Sequence, residues 1–245
     1  QRYKLPKYGT EIEVDVKVYW NEKMKMLKLS MPTTLKDPKY IGQVAYGVED
    51  LTNNERELVA QKWTAVISES QDVAFTCIND GVYGSDFNHG EMRMSLVRSP
   101  GYSAGCSDFY IRDPKIMPQD RFSFYIDQGE RDFCFWLNGG KLKERIEEVD
   151  REALVHNEKP FVLSFFPSGD GAEEKPLILL EDDVVVMTAF KKCEKSDVYI
   201  IRLFEPTGTA RSTKVSIPLY EINQEVNLNG FEIKTLKLDI VGKKL

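Results

Sequence analysis

Histidine and cysteine, the side chains that most often do chemistry at neutral pH, are nearly missing: two and four among 245 residues. The histidines, His89 and His156, stand far apart, and no H-x-H, H-x-D or H-E-x-x-H spacing surrounds either, so no metal site is nominated. His89 falls in a turn between Asn88 and Gly90, where solvation is expected. His156 falls at the negative end of a helix. Cys77, Cys106, Cys134 and Cys193 form no C-x-x-C pair, and a chain this long needs no disulfide to hold its core, so they read as free thiols in a reducing compartment. There is no N-x-S/T sequon, no P-loop and no G-x-G-x-x-G. No apolar run approaches the roughly 20 residues that span a bilayer, and no charged-then-apolar leader opens the chain. Gln1 stands where an initiator Met would, which reads as a piece of a longer chain.

Excess positive charge is absent as well. Lys plus Arg is 33 against 39 for Asp plus Glu, a formal net charge of −6. With a pI near 5.2 this excludes the basic footprint of a nucleic-acid binder. The 42% hydrophobic and 29% charged fractions are those of a folded protein and exclude wholesale disorder.

What is present is alternation. Ile12, Val14, Val16, Val18 and Trp20 interleave with charged residues and Tyr19, a strand with one buried face. Leu27, Leu29 and Met31 repeat the pattern up to Pro32. Residues 36–54 carry Pro38, Gly42, Gly47 and Asn53-Asn54 and read as loop or sheet edge. Strands are expected at 62–68, 73–79 and 91–98, separated by a turn at 79–81 and the stretch 83–90, and residues 99–119 read as a long ordered loop. Phe122, Phe124 and Ile126 against Phe133, Phe135 and Leu137 predict a hairpin about 127–131. Leu142, Ile146, Val149 and Ala153 recur at helical spacing and predict a single helix over 141–156. The run 161–166 reads as a strand buried on both faces, and 167–176 as a polar, proline-bracketed linker. Further strands are expected at 184–191, 198–205, 211–217 and 231–239, with Asn229-Gly230 as a hairpin turn. The class is all-β: a large β-sandwich over 1–175 and a smaller C-terminal β-sandwich over 176–245.

Carboxylate pairs (Asp182-Asp183, Glu147-Glu148, Glu173-Glu174) lie in charged runs and read as solvated faces. One cation stands out. Arg98 follows Met92, Met94 and Leu96 at the same strand parity, so its guanidinium needs either a buried partner, with Asp108, Asp113 and Asp120 in reach by sequence, or a rim where it meets a ligand or neighbouring domain. Trp20, Trp63 and Trp136 fit a sandwich core or a sugar-stacking platform.

Several blocks, in order, resemble the β-region of glycoside hydrolase family 38 α-mannosidases: VKVYWNEKMKMLKLSMP (16–32), ELVAQKWTAVISES (57–70), CINDGVYGSD (77–86), MRMSLVRSPGYSAG (92–105) and LLEDDVVVMTAFKKCEKSDVYIIRLFEPTG (179–208). DQGERDFCFWLNGG (127–140) looks like the bacterial branch. The resemblance implies the C-terminal part of a retaining, exo-acting, cytoplasmic enzyme whose large sandwich is a super-sandwich of the galactose-mutarotase-like kind. It implies an N-terminal catalytic domain as partner, where an aspartate nucleophile and a divalent metal, zinc held by two His and two Asp, would act on mannose-containing oligosaccharide. Nothing in this chain matches that domain, so no catalytic residue and no metal ligand is carried over. The β-region of such enzymes braces the catalytic domain, lends side chains to the pocket rim and supports homo-oligomer contacts. By its place in the L-x-R-S-P strand end, Arg98 is the foremost substrate-binding candidate, followed by Asp127, Arg131 and Trp136. A free-standing carbohydrate-binding module is the alternative. Neither reading involves nucleic acid or membrane.

Overall fold

The computed structural model describes residues 1–52, 56–101, 125–163, 171, 176–196, 198–240, 242–243 and 245. Strands dominate it and one long helix interrupts them, so the all-β class is borne out. The chain divides into two compact units, Gln1–Gly42 with Asp50–Arg145, and Gln43–Glu49 with Ile146–Leu245.

Two sheets pair around the first unit's core. The larger contains β1 (Arg2–Lys4), β2 (Ile12–Trp20), β4 (Lys39–Val44), β5 (Gly47–Asp50), β7 (Trp63–Ser68), β8 (Val73–Asn79) and β11 (Gly129–Lys141), in the order β1-β2-β11-β8-β7-β4-β5. The smaller contains β3 (Met26–Pro32), β6 (Leu58–Val59), β9 (Gly84–Asn88) and β10 (Glu91–Arg98), in the order β3-β10-β9-β6. The period of two in β2 does what it predicts: Val14 and Val16 are buried while Lys17 is exposed. The core joins Val14, Val16, Val66, Cys77 and Phe135 of the larger sheet to Leu29, Met31, Met92 and Met94 of the smaller. Tyr40 crosses between the sheets. Its hydroxyl donates to Ser85 Oγ at 2.7 Å, and burial pushes its phenol up to about 12.

Several expectations change here. Residues 36–54 take the sheet-edge alternative: in their described part β4 and β5 form a hairpin at the sheet edge, turning at Ala45 and Tyr46 (φ 58°), because Tyr40 and Leu51 are core residues that the glycines and prolines around them mask. Residues 84–88, GSDFN, are turn-like in composition yet form β9, since Asp86 is held by Lys28 and by Arg93 Nε (2.6 Å) and Ser85 by Tyr40. The hairpin partner at 122–124 and most of the 99–119 loop lie outside the described residues. In the described part, Tyr125 bridges Gly101 and Ile126 N–H donates to Pro100 O, rather than pairing with β11. Strand β11 instead runs between β2 and β8, and its pairing with Phe75 and Ala74 keeps Gly139 and Gly140 extended.

The helix α1 (Leu142–Asn157) matches its expected span within a residue, with Val149 and Ala153 as its buried stripe. The expected boundary was 175/176, whereas the division into units falls between Arg145 and Ile146. From Ile146 on the helix serves the second unit: Glu147 Oε1 accepts from Arg211 Nη2 at 2.5 Å and Asp150 Oδ1 from Gln43 Nε2 at 2.5 Å. The strand expected at 161–166 is not formed in its described part: Phe161, Val162 and Leu163 have no strand assignment and are exposed.

In the second unit β12 (Leu179–Leu180), β15 (Arg211–Ile217) and β16 (Ile222–Leu228) form one sheet, and β13 (Val186–Lys192), β14 (Tyr199–Phe204) and β17 (Ile233–Leu238) another. Ile201 and Leu203 from one sheet and Val215, Ile217, Ile222 and Val226 from the other fill the core between them. The Asn229-Gly230 turn does not close a hairpin. It carries the chain from β16, paired with β15, to β17, paired with β14. Gly230 is required there because a Cβ would come within 2.2 Å of Gly208 O.

Glu205 anchors that turn. Fully buried, it accepts from Thr207 N (3.0 Å), Gly208 N (2.7 Å), Phe231 N (3.1 Å) and Arg211 Nε (3.2 Å), and from the Thr207 hydroxyl. Burial raises its pKa, but the Thr207 hydroxyl and the N–H groups of Phe231, Thr207 and Gly208 outweigh that and hold it below the ordinary glutamate value. A depressed carboxyl contributes stability above its unfolded pKa and loses it as pH falls through the folded value. Glu205→Ala is therefore expected to cost the second unit about 3 kcal/mol at pH 7, by orphaning three N–H donors and removing one of the carboxylates that face Arg211. The deficit should shrink on acidification below the unfolded value of about 4.3. Urea unfolding at pH 7 and pH 4 measures both; a loss under about 0.5 kcal/mol at pH 7 would refute the anchor.

Candidate functional site

Three segments of the first unit meet at one rim: the end of β2 with residues 21–26, the end of β10 with residues 99–101, and residues 125–131 leading into β11. Met24 N–H donates to Ser99 O (2.8 Å), Ser99 N–H to Lys25 O (3.0 Å), and the Gln128 amide to the carbonyls of Glu22 (2.9 Å) and Ile126 (3.2 Å). Lys23 Nζ lies 5.4 Å from the centre of the Tyr125 ring. Asp127 adopts φ 57°, and its carboxylate stands 3.8 Å from Arg131 Nη2. Of the sequence-nominated residues, Arg98, Asp127 and Arg131 thus sit on segments that hydrogen-bond to one another.

Arg98 reaches this rim by a route the alternation did not show. The β10–β3 register slips between Ser95 and Val97, so Val97 takes the buried place (4% exposed) and Arg98 turns outward. The guanidinium at apolar parity is therefore corrected to an exposed one. Its suggested partners Asp108, Asp113 and Asp120 lie outside the described residues. Trp136 does not belong to the rim. It stands between Ile78 and Glu13 in the middle of the larger sheet and is 8% exposed. Trp20 (9%) and Trp63 (0%) are buried too, so none of the three indoles presents a stacking face. The Trp20 Nε1–H, at the base of the rim, has no acceptor among the described residues.

Among its described residues the rim offers polar groups. Its carboxylates pair with cations: Glu22 with Lys25 at 2.8 Å, Asp127 with Arg131, and Glu130 with Lys17. One further cluster was invisible in the sequence because two strands distant along the chain assemble it. Glu13, Asp15 and Cys134 converge within 4.8 Å on the outer face of the larger sheet. Lys4 of β1 places its ammonium 2.6 Å from Glu13 and 2.8 Å from Asp15, so a protein cation already satisfies the two carboxylates. His89 belongs to the first unit and His156 to the second. A motif search would also have found the string Gly-Tyr-Ser-Ala-Gly at 101–105, a G-x-S-x-G pattern. Beyond Gly101 it lies outside the described residues. Among the described residues no helix is long and apolar enough to cross a membrane.

The described thiols are free, as expected, and graded in environment; Cys106 lies outside the described residues. Burial pushes Cys77 up to about 12. Burial, with Glu13 and Asp15 adding, pushes Cys134 up to about 11. The Ser196 hydroxyl lowers Cys193 below the ordinary thiol value. Among these three, iodoacetamide at pH 8 should label Cys193 first, Cys134 slowly and Cys77 only on unfolding, as read by peptide mass spectrometry. Labelling of Cys77 in the folded chain before Cys193 would contradict this order.

The family model "Glycosyl hydrolases family 38 C-terminal domain" matches residues 1–114. Alpha-mannosidase G of Dictyostelium discoideum is 24% identical over 266 aligned residues, covering 94% of this chain and 22% of that protein. An α-mannosidase from Enterococcus faecalis V583 superposes with a TM-score of 0.74 at 16% identity, over 97% of this chain and 28% of its own. A family 38 glycosyl hydrolase protein from Enterococcus faecalis does so with a TM-score of 0.77 at 18% identity, over 97% and 29%. The two solved structures share the fold, and the resemblance to family 38 read from the sequence is borne out. This chain spans about a fifth of the length of the curated relative it matches.

Proposed function

We propose that this chain is the non-catalytic C-terminal portion of a retaining, exo-acting α-mannosidase that removes terminal α-mannosides. The observation that carries this reading is the likeness to Alpha-mannosidase G, which takes in 94% of this chain but only 22% of that protein. In this reading the two β-units brace an N-terminal catalytic domain, which supplies the aspartate nucleophile and the zinc. The enzyme is cytoplasmic, and the β-region also supports contacts between copies. The described residues agree with a supporting role, since the rim offers donors without a free carboxylate pair.

The rim around Arg98 is the face we assign to the mannose pocket. An exposed guanidinium carries five N–H donors in a fixed fork, suited to the vicinal hydroxyls of a sugar. Asp127 and Arg131 accompany it as acceptor and donor. The buried Trp136 is better suited to holding the sheet together than to touching substrate.

Two outcomes test the proposal. Purified chain supplied with zinc should release no product from an aryl α-mannoside, and measurable zinc-dependent turnover would overturn the supporting role. In the longer enzyme, Arg98→Ala should lower kcat/KM about tenfold while leaving the unfolding transition in place; unchanged kinetics would remove Arg98 from the pocket.

The alternative, a free-standing carbohydrate-binding module, needs an exposed aromatic platform. With Trp20, Trp63 and Trp136 buried, millimolar methyl α-mannoside should leave the tryptophan emission of this chain unchanged. Saturable quenching would favour the module.

A further inference from the structure

Phe161, Val162 and Leu163 are 85%, 83% and 77% exposed, in a unit whose other large apolar residues are mostly gathered in its core. No backbone hydrogen bond engages them among the described residues. Three successive bulky apolar side chains in water forgo the burial that drives folding. The composition also states what kind of cover they suit. In an extended segment Phe161 and Leu163 point to one side and Val162 to the other, so the run is apolar on both faces. A groove that takes a single face would leave the other wet. A sheet interior covers both and supplies partners for the bare backbone.

We propose that residues 161–163 are an unpaired β-strand that completes itself against a sheet edge contributed by the larger part of the same polypeptide, outside these 245 residues. This rests on the reading of the chain as one portion of a longer α-mannosidase. The lengths support that choice of occupant. The chain covers 28% and 29% of the two solved structures while 97% of it superposes, so most of each of those polypeptides lies beyond the matched portion. A strand taken up in this way links the two parts by main-chain hydrogen bonds, independently of the side chains at the Arg98 rim.

Hydrogen exchange with mass-spectrometric detection, run on this chain and on the longer enzyme, tests the pairing. The amides of 161–163 should exchange within seconds in this chain and at least about a hundredfold more slowly in the longer enzyme. Val162→Pro in the longer enzyme removes a ladder donor and should return the flanking amides to fast exchange, while the rest of the enzyme keeps its protection. Equally fast exchange in both proteins would overturn the proposal, as would protection that survives Val162→Pro. Protection that appears in this chain alone and grows with its concentration would identify a second copy as the occupant and overturn it too. If the encoding reading frame yields no longer enzyme, the functional reading itself fails, an outcome distinct from unprotected amides in an enzyme that exists.

Discussion

Strand β11 sets the first unit's geometry, because it is the thirteen-residue strand against which both β2 and β8 take their register. Phe135 stands opposite Val14 on one side and Asn79 on the other, and that row faces the sandwich core. The next row, Ile78, Trp136 and Glu13, faces the opposite way. A slip of one residue would exchange the two rows, turning Phe135 out and a charged residue in, a change large enough to exclude every other pairing. With this register fixed, Cys134 must lie beside Asp15 on the outer face, and the start of β11 at Gly129 must lie beside Trp20. The rim and the Glu13–Asp15–Cys134 cluster are both consequences of one alignment.

The second unit is held by a different device. Its two three-stranded sheets share an apolar core, but the chain changes sheets between β14 and β15 and again between β16 and β17, and a sheet change leaves backbone donors without ladder partners. Glu205 supplies the acceptors for three of them, and Arg211 balances its charge while also meeting Glu147 and Asp182. A buried carboxylate would ordinarily be a cost; here its surrounding donors make ionisation the favoured state. The helix is tied into the same network through Glu147, so one charged node organises a turn, a strand end and a helix.

The chemistry of the chain follows from what these scaffolds leave at their edges. Carboxylates at the rim and on the sheet face are engaged by Lys or Arg, the described thiols with the most basic pKa values are the most sequestered, and the indoles are packed inward. Groups spent on mutual pairing stabilise a surface but are not free to act as nucleophile or general base. The relatives it matches extend well beyond the portion this chain covers, 22% of one and 28% of another.

The sequence by itself determined the class, the principal strands, the helix and the family likeness, because each rests on local information: period-two alternation at β2, helical spacing over Leu142–Asn157, and strings of residues in order. Arg98, Asp127 and Arg131, nominated one by one, lie on segments that the tertiary structure makes hydrogen-bonded neighbours. The sequence left 36–54 between loop and sheet edge and missed the strand at 84–88, where core residues such as Tyr40 and Ser85 hide among glycine, proline and aspartate. The strand character of β4 comes from β7, distant in sequence, while β9 forms a local hairpin with β10 and takes β6 on its other side. The face of Arg98, the sheet change at Gly230 and the meeting of Glu13, Asp15, Cys134 and Lys4 were decided by tertiary structure alone. A bulge, a close backbone approach and cross-strand register are relations between segments, and nothing in the order of residues along one segment records them.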